Sequence, residues 1–268
     1  VTDVMAEKVS AVARFSGGPN AGHTLSINGR KAVLHLLPSA LFRPDVLKLV
    51  GPGVVSDPEV LSEELQLAEE LDVLHTVHLD VHAPIILPIH RELDKARESL
   101  SGKGAIGTTQ RGIGPCYEDF VARRGPSLQN LRSAKALKQA MLDRRFYDER
   151  SLLVQLAGIK PSTVDQMVEW CMERAKNIVP ALVDTREVIS RLRERGDSLL
   201  FEGAQGIMLD VFNGTRPYCT SSICGPAAIS ASLAVHVFNR VTGVAHASLT
   251  VLGNGPSPPD PTVRADQG

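Results

Sequence analysis

Four groups of polar side chains set among glycines mark where this sequence could do chemistry. Asn20, Ala21, Gly22, His23 and Thr24 close the stretch SGGPNAGHT at 16–24. Thr108, Thr109 and Arg111 lie in the glycine-rich run 103–115, with Arg123 shortly beyond it. Gln205 lies in the loop 202–206, EGAQG, and Thr220 in the polar run 214–222. Backbone N–H groups can crowd around an oxyanion only where no Cβ intervenes, so glycine loops are what phosphate recognition needs. The amides, hydroxyls, imidazole and guanidinium beside them are groups that a purine nucleotide could use. Each stretch alone reads equally well as a turn, and a Gly/Pro loop with a stray histidine is the ordinary explanation of 16–24. Together they describe a nucleotide-sized polar pocket. His23, in a loop beside Asn20, could donate to a phosphate or purine oxygen. His75, His78, His82 and His90 cluster in sequence but follow no metal-ligand spacing, and they read as hydrogen-bonded histidines on a strand and its exit. Arg124 reads as a solvated helix end.

These side chains need elements to hold them, and the apolar pattern supplies an alternating α/β series. Residues 11–15 read as a strand running into the first glycine loop. Residues 23–27 and 31–36 flank Asn28-Gly29, a strong signal for a tight hairpin. Leu61, Leu65, Ala68 and Leu71 recur at helical spacing with an acidic outer face, behind a start in which Ser56 caps, Pro58 fits the first turn and Glu59 completes a capping box. Residues 73–81 suit a strand, 85–87 are apolar but bracketed by Pro84 and Pro88, and 89–100 turn helical. Residues 128–157 and 162–182 are mostly helical, the latter opening with Ser162-x-x-Asp165. A helix over 184–195, ended by Gly196, precedes a strand over 198–201. A helix over 227–239, a strand over 244–251 and an irregular loop over 253–261 complete the chain. Loops that follow strands in such a series fall near the carboxyl ends of a parallel sheet. The expectation is one α/β domain over 1–268, with a mostly parallel central sheet flanked by helices.

Composition narrows the class. In 268 residues, 43% hydrophobic and 22% charged content fit a globular protein, and a net charge of −1 makes no case for nucleic acid or a membrane surface as partner. Nowhere do about 18 apolar residues run together, and no basic-then-apolar leader opens the sequence, so a cytoplasmic protein is expected. Cys116, Cys171, Cys219 and Cys224 form no C-x-x-C pair and read as reduced thiols.

The loops also match a family. SGGPNAGHT at 16–24, LHLLPS at 34–39, IGTTxRGIGPxYED at 106–119 and FEGAQG at 201–206, in this order and spacing, resemble adenylosuccinate synthetase, and the likeness runs from Val1 to about Gly255. The resemblance implies a P-loop NTPase-like nucleotide-binding architecture and a GTP-dependent ligase of purine biosynthesis. GTP phosphorylates the 6-oxygen of IMP, and L-aspartate displaces that phosphate to give adenylosuccinate. It implies His23 as the general acid that also touches GTP phosphates, Gly22 as a backbone ligand of Mg²⁺, and Thr24 beside the GTP phosphates. Asn20, Ala21, Gly22, His23, Thr109, Gln205 and Thr220 become IMP contacts. Arg123 becomes the arginine that reaches the IMP phosphate of a neighbouring subunit, which implies a homodimer with shared sites.

Departures accompany the likeness. The family's G-D-E-G-K-G-K loop, with its aspartate base, would precede the helix at 1–8, and its T-T-G-R loop would follow the present sequence; neither is in it. Gln110, Ile223 and Val251 replace the usual glycine, asparagine and a residue of an arginine-bearing run, and 257–261 departs from F-P-T-E-L. The sequence is thus expected to be either an incomplete portion of a synthetase or a degenerate, non-catalytic homologue that binds a purine nucleotide or a partner subunit. Truncation at both ends would leave this chain alone inactive and open a gap in the parallel sheet.

Overall fold

The computed structural model describes residues 2–20, 22–27 and 30–243. The chain starts with a short helix, α1 (Thr2–Met5), and a 3₁₀ turn, then enters β1 (Ala11–Arg14). An antiparallel hairpin follows, β2 (His23–Ile27) and β3 (Arg30–Leu34), with His23 opposite Leu34. The expected turn residues Asn28 and Gly29 lie outside the described residues, as do Ala21 and the elements expected over 244–251 and 253–261.

Next come β4 (Leu47–Val50), α2 (Pro58–Glu70), β5 (Val77–Asp80), α3 (Pro88–Ser101) and α4 (Ile113–Val121). The helices α5 (Ala134–Leu142), α6 (Phe146–Leu156) and α7 (Val164–Ile178) form a helical block. β6 (Leu182–Val183), α8 (Thr185–Glu194), β7 (Leu199–Glu202) and α9 (Ala227–Leu233) close the described fold.

Five strands form one wholly parallel sheet in the order β6-β5-β4-β1-β7. Both faces are covered, as parallel sheets require. Val50, Val77 and Leu79 face a large core completed by Leu61 and Leu65 of α2 and by Met167 and Cys171 of α7. Ala11, Ala13, Phe15 and Leu49 face a second core with Ile189 and Leu192 of α8 and Leu233 of α9. Successive residues Leu49 and Val50 therefore serve opposite faces, the two-residue period of a strand. The gap expected in the sheet is not found among the described residues, because β1 pairs with β4 on one side and β7 on the other.

Some local expectations are corrected. Helix α2 is capped by Asp57, which accepts from the Glu59 N–H, while Ser56 Oγ turns back to the Val54 carbonyl. Helix α7 is capped by Thr163 in a reciprocal pair with Gln166, and Ser162 instead binds Glu92. Helix α9 ends at Leu233 rather than 239, where Ala234 turns to φ 56°. The acidic face of α2 is interrupted by Glu64, which is buried. No described helix is long and apolar enough to cross a membrane.

Candidate functional site

The glycine loop leaves the carboxyl end of β1, between β4 and the edge strand β7, and three neighbours fix its path. Tyr117 of α4 accepts from the Gly17 N–H at 2.8 Å, and its hydroxyl reaches the carbonyls of Gly17 (3.0 Å) and Gly53 (2.7 Å). Burial pushes the Tyr117 phenol up, so it stays a neutral donor. Ser16 Oγ donates to the Ile223 carbonyl at 2.8 Å, and Arg111 donates to the Pro19 carbonyl. Gly17 has φ 90°, and a Cβ there would sit 2.5 Å from Ala204 Cβ and 2.9 Å from Gln205 Oε1. Only glycine allows the loop to lie this close to the loop after β7. The glycine runs at 16–22, 103–115 and 202–206 thus meet, although the second follows helix α3 and not a strand.

His23 begins β2 and is partly exposed. Its Nδ1 lies 3.4 Å from both Ser39 Oγ and Glu202 Oε1. Glu202, the last residue of β7, is buried and accepts from Ser39 N–H at 2.8 Å and Ser39 Oγ–H at 2.5 Å. Burial works against its ionisation, but the bond with His23, the charge of Arg14 and the bonds from Ser39 outweigh burial and hold the carboxyl below its usual range. Behind it Glu64 accepts the consecutive N–H groups of His35 (2.5 Å), Leu36 (3.2 Å) and Leu37 (2.7 Å). Burial drives the Glu64 carboxyl upward against those bonds. Sequence patterns did not single out Glu202 or Glu64, since their partners are more than 25 residues away.

Three buried side-chain atoms have no hydrogen-bond partner among the described residues: Arg14 Nε, Asn20 Oδ1 and Gln205 Nε2. Unsatisfied buried polar atoms are rare in folded proteins, and each calls for an explanation. The other end of the Gln205 amide accepts from Ser222 Oγ at 3.3 Å. Thr220, half-buried, is tied by its backbone to Leu209 in a loop organised by buried Asp210, which accepts from the backbone of Phe212, Asn213 and Cys224. Ser221 packs 3.3 Å from where a Gly114 Cβ would lie, so this loop abuts the start of α4.

The remaining candidates are less enclosed. Thr24 and Gly22 are exposed at the start of the hairpin. Thr109 is exposed and its side chain makes no hydrogen bond among the described residues, whereas Thr108 binds Asp94 at 3.0 Å. Arg123 is exposed at the end of α4. Arg124 is not the solvated end that was expected: it binds Asp119 at 2.7 Å and Glu149 at 2.5 Å. Of the clustered histidines, His90 is buried and bonded on both ring nitrogens, to Leu87 N–H and Asp119. No group of three His, Cys, Asp or Glu side chains able to hold a metal ion occurs among the described residues. Mg²⁺ commonly keeps several waters and uses substrate phosphates, so the Gly22 carbonyl could be one ligand, but by itself it does not make a site. A recess of about 540 Å³ opens beside His75, His78 and Lys176, where β5 begins. It lies at the opposite end of the strands from the glycine loops.

Comparison with known proteins agrees with this geometry. The family model for adenylosuccinate synthetase matches residues 1–266. The adenylosuccinate synthetase of Hydrogenovibrio crunogenus is 42% identical over 262 residues, covering 96% of this chain and 59% of that protein. That of Nitrosomonas eutropha is 39% identical over 266 residues, covering 96% and 60%. The chain thus spans about 60% of the length of these relatives. The fully ligated adenylosuccinate synthetase from Plasmodium falciparum superposes with a TM-score of 0.77 at 30% identity, covering 88% of this chain and 55% of that one. A cyanophage S-2L succinoaminodeoxyadenylate synthetase bound to dGMP and dATP shares the fold, with a TM-score of 0.52 at 23% identity and coverage of 86% and 53%. With its glycine loops joined at the carboxyl ends of a parallel sheet and this likeness along nearly its whole length, the chain belongs to the adenylosuccinate synthetase family.

Proposed function

We propose that this chain, as one domain, forms the IMP-facing part of a cytoplasmic, GTP-dependent synthetase that joins IMP to L-aspartate to give adenylosuccinate. The observation that carries the reading is the pair of unsatisfied buried atoms, Asn20 Oδ1 and Gln205 Nε2. One is an acceptor and the other a donor, on two loops that touch at Gly17. The lactam edge of a 6-oxopurine offers the complementary pair, an N1–H donor and an O6 acceptor. Binding it would satisfy both protein atoms, whereas a 6-aminopurine edge reverses the polarity.

In this reading His23 faces the phosphoryl group that passes from GTP to O6 and supplies a proton or hydrogen bond where charge develops. Thr24 and Gly22, at the exposed start of the hairpin, border the GTP phosphates. Mg²⁺, when bound with GTP, would offset phosphate charge; the Gly22 carbonyl is the ligand this part of the chain offers, and no step is derived through the ion. Thr109 and Ala21 complete the IMP side together with Thr220. Arg123 reaches outward to the IMP phosphate of a second copy in a homodimer.

Titration calorimetry with IMP tests the pocket. Gln205→Ala should weaken binding by about five- to tenfold, the ~1–1.4 kcal/mol of one hydrogen bond, and unchanged affinity would overturn the assignment. The 268-residue chain alone, spanning about 60% of its relatives, should give negligible adenylosuccinate from IMP, GTP, aspartate and Mg²⁺. Robust turnover in that assay would refute this.

A further inference from the structure

We propose that Glu202 is a positioning residue that holds His23 in its Nδ1–H tautomer and thereby sets the polarity of the outward-facing Nε2. The consequence for phosphoryl transfer rests on the reading of His23 given above; the tautomer itself does not.

The argument starts from a backbone donor. Ser39 N–H can only donate, and it is committed to Glu202 Oε2 at 2.8 Å. The other carboxylate oxygen, Oε1, accepts from Ser39 Oγ–H at 2.5 Å, and His23 Nδ1 lies 3.4 Å from both that oxygen and Ser39 Oγ, whose proton is already given to Glu202. An ionised carboxylate is an acceptor only, and the Ser39 hydroxyl, with its hydrogen on that carboxylate, can only accept toward the ring, so the nitrogen facing them must carry the proton. Which ring nitrogen is protonated is inferred from the hydrogen bond the ring makes, and here the partner leaves one choice. Nε2, without a partner among the described residues, is then left with its lone pair outward. It accepts in the neutral ring and can give a proton, as the reading above requires, only after taking one up to form an imidazolium whose Nδ1–H faces Glu202.

The surroundings keep the carboxylate in place. Arg14, fully buried in the last position of β1, contributes its positive charge to both Glu202 and Glu64. Arg14 also donates to the His35 carbonyl at 3.4 Å, while Glu64 clamps the N–H groups of residues 35–37. The segment that ends in Ser39 is therefore fixed at its start by Glu64 and at its end by Glu202. A proton-transferring histidine oriented by a third group is a recurring arrangement in active sites.

A purely structural role for Glu202, pinning Ser39 to β7, would make no demand on the imidazole. The two roles separate in Glu202→Gln. Ser39 N–H still requires an acceptor, so the glutamine carbonyl must turn toward it and the NH₂ group must face Ser39 Oγ and His23 Nδ1. Nδ1 must then accept, and the ring is forced into the Nε2–H tautomer. The substitution inverts the tautomer instead of merely loosening the ring.

The test is ¹⁵N NMR of imidazole-labelled chain without ligand, with the His23 signals assigned by their loss in His23→Gln. The expected result is a protonated Nδ1 in the wild-type chain and a protonated Nε2 in Glu202→Gln. A wild-type ring protonated on Nε2, or an unchanged tautomer in folded Glu202→Gln, overturns the proposal. Should Glu202→Gln fail to fold, Ser39→Ala keeps the question open to measurement. It removes the hydroxyl but not the backbone N–H, so Nδ1–H should persist; its loss would assign the control to Ser39 and overturn the proposal. Since no nucleotide is present, failure here is distinguishable from failure of the IMP reading, which calorimetry decides.

Discussion

His23 and His90 each stand beside a buried carboxylate, yet their surroundings differ in almost every respect. His90 accepts from the Leu87 N–H at 3.0 Å and donates to Asp119 at 3.1 Å, its ring meeting Phe146 edge-on at 5.5 Å. Asp119 also takes a two-pronged contact from Arg150 and a bond from Arg124 at 2.7 Å. The His90 and Asp119 side chains are each 2% exposed, and every polar atom of the pair is used. His23 is 25% exposed, engages its carboxylate at 3.4 Å through one nitrogen, and has three unsatisfied buried atoms nearby on the elements that frame it. Completed networks hold α3, α4 and α6 together, whereas around His23 hydrogen-bonding capacity is left over, which the function proposed above assigns to a ligand. The type of residue pair does not separate structure from function; the state of its remaining hydrogen-bonding capacity does.

The largest expected effect lies in the completed network. Asp119→Ala leaves the guanidinium of Arg150, itself 2% exposed, without its main partner. Removing one member of a buried ion pair costs about 3–5 kcal/mol, which should appear as a lower midpoint in urea unfolding. Gln205→Ala, whose Nε2 has no partner to lose, should shift that midpoint by less than about 0.5–1 kcal/mol. Equal losses from the two variants would dissolve the contrast between the regions.

Acid sharpens the same contrast. Burial opposes ionisation of Asp119, but the bond with His90 and the bonds and charge of Arg150 reverse this and hold its carboxyl below the usual range. A depressed carboxylate contributes stability that is complete above its unfolded value, about 4, and is lost as pH falls through the folded value. The urea midpoint of the wild-type chain should therefore decline below about pH 4, and Asp119→Asn should flatten that decline. Parallel pH profiles would mean that the network does not carry the acid sensitivity.

How much of this could be read in advance depended on the range of each interaction. Strand β1, the hairpin and α2 announce themselves through local apolar spacing and turn residues, and the family loops pointed to His23 and Gln205. Strand β4 was hidden because Lys48 interrupts its apolar run; the lysine is nonetheless buried, donating to the Arg43 carbonyl and Thr76 Oγ1. That burial lowers its pKa to about 8. Strand β6, two residues at the end of a helical stretch, has no pattern of its own. The caps of α2 and α7 were misplaced by one residue because Ser-Asp and Ser-Thr pairs each offer two competent side chains. Glu202 and Asp119 acquire their roles only when elements distant in sequence meet.

The arginine pair at the end of α4 gives the last and smallest separation. Arg124 binds Asp119 and Glu149 and is 16% exposed, so Arg124→Ala should cost about 1–2 kcal/mol, the range for charged hydrogen bonds reduced by the exposure of Glu149. Arg123 occupies the left-handed position of the helix stop, φ 59°, with its N–H on the Phe120 carbonyl and the next N–H on that of Asp119. Glycine is the favoured residue there. An arginine pays a steric cost of about 1 kcal/mol and has no side-chain hydrogen bond among the described residues to offset it. Arg123→Gly should therefore raise the thermal midpoint slightly, by the equivalent of about 0.5–1 kcal/mol, while Arg124→Ala lowers it. A loss of stability in Arg123→Gly would show that the guanidinium serves this chain's own fold; a gain fits a side chain kept at a conformational cost for a contact beyond it.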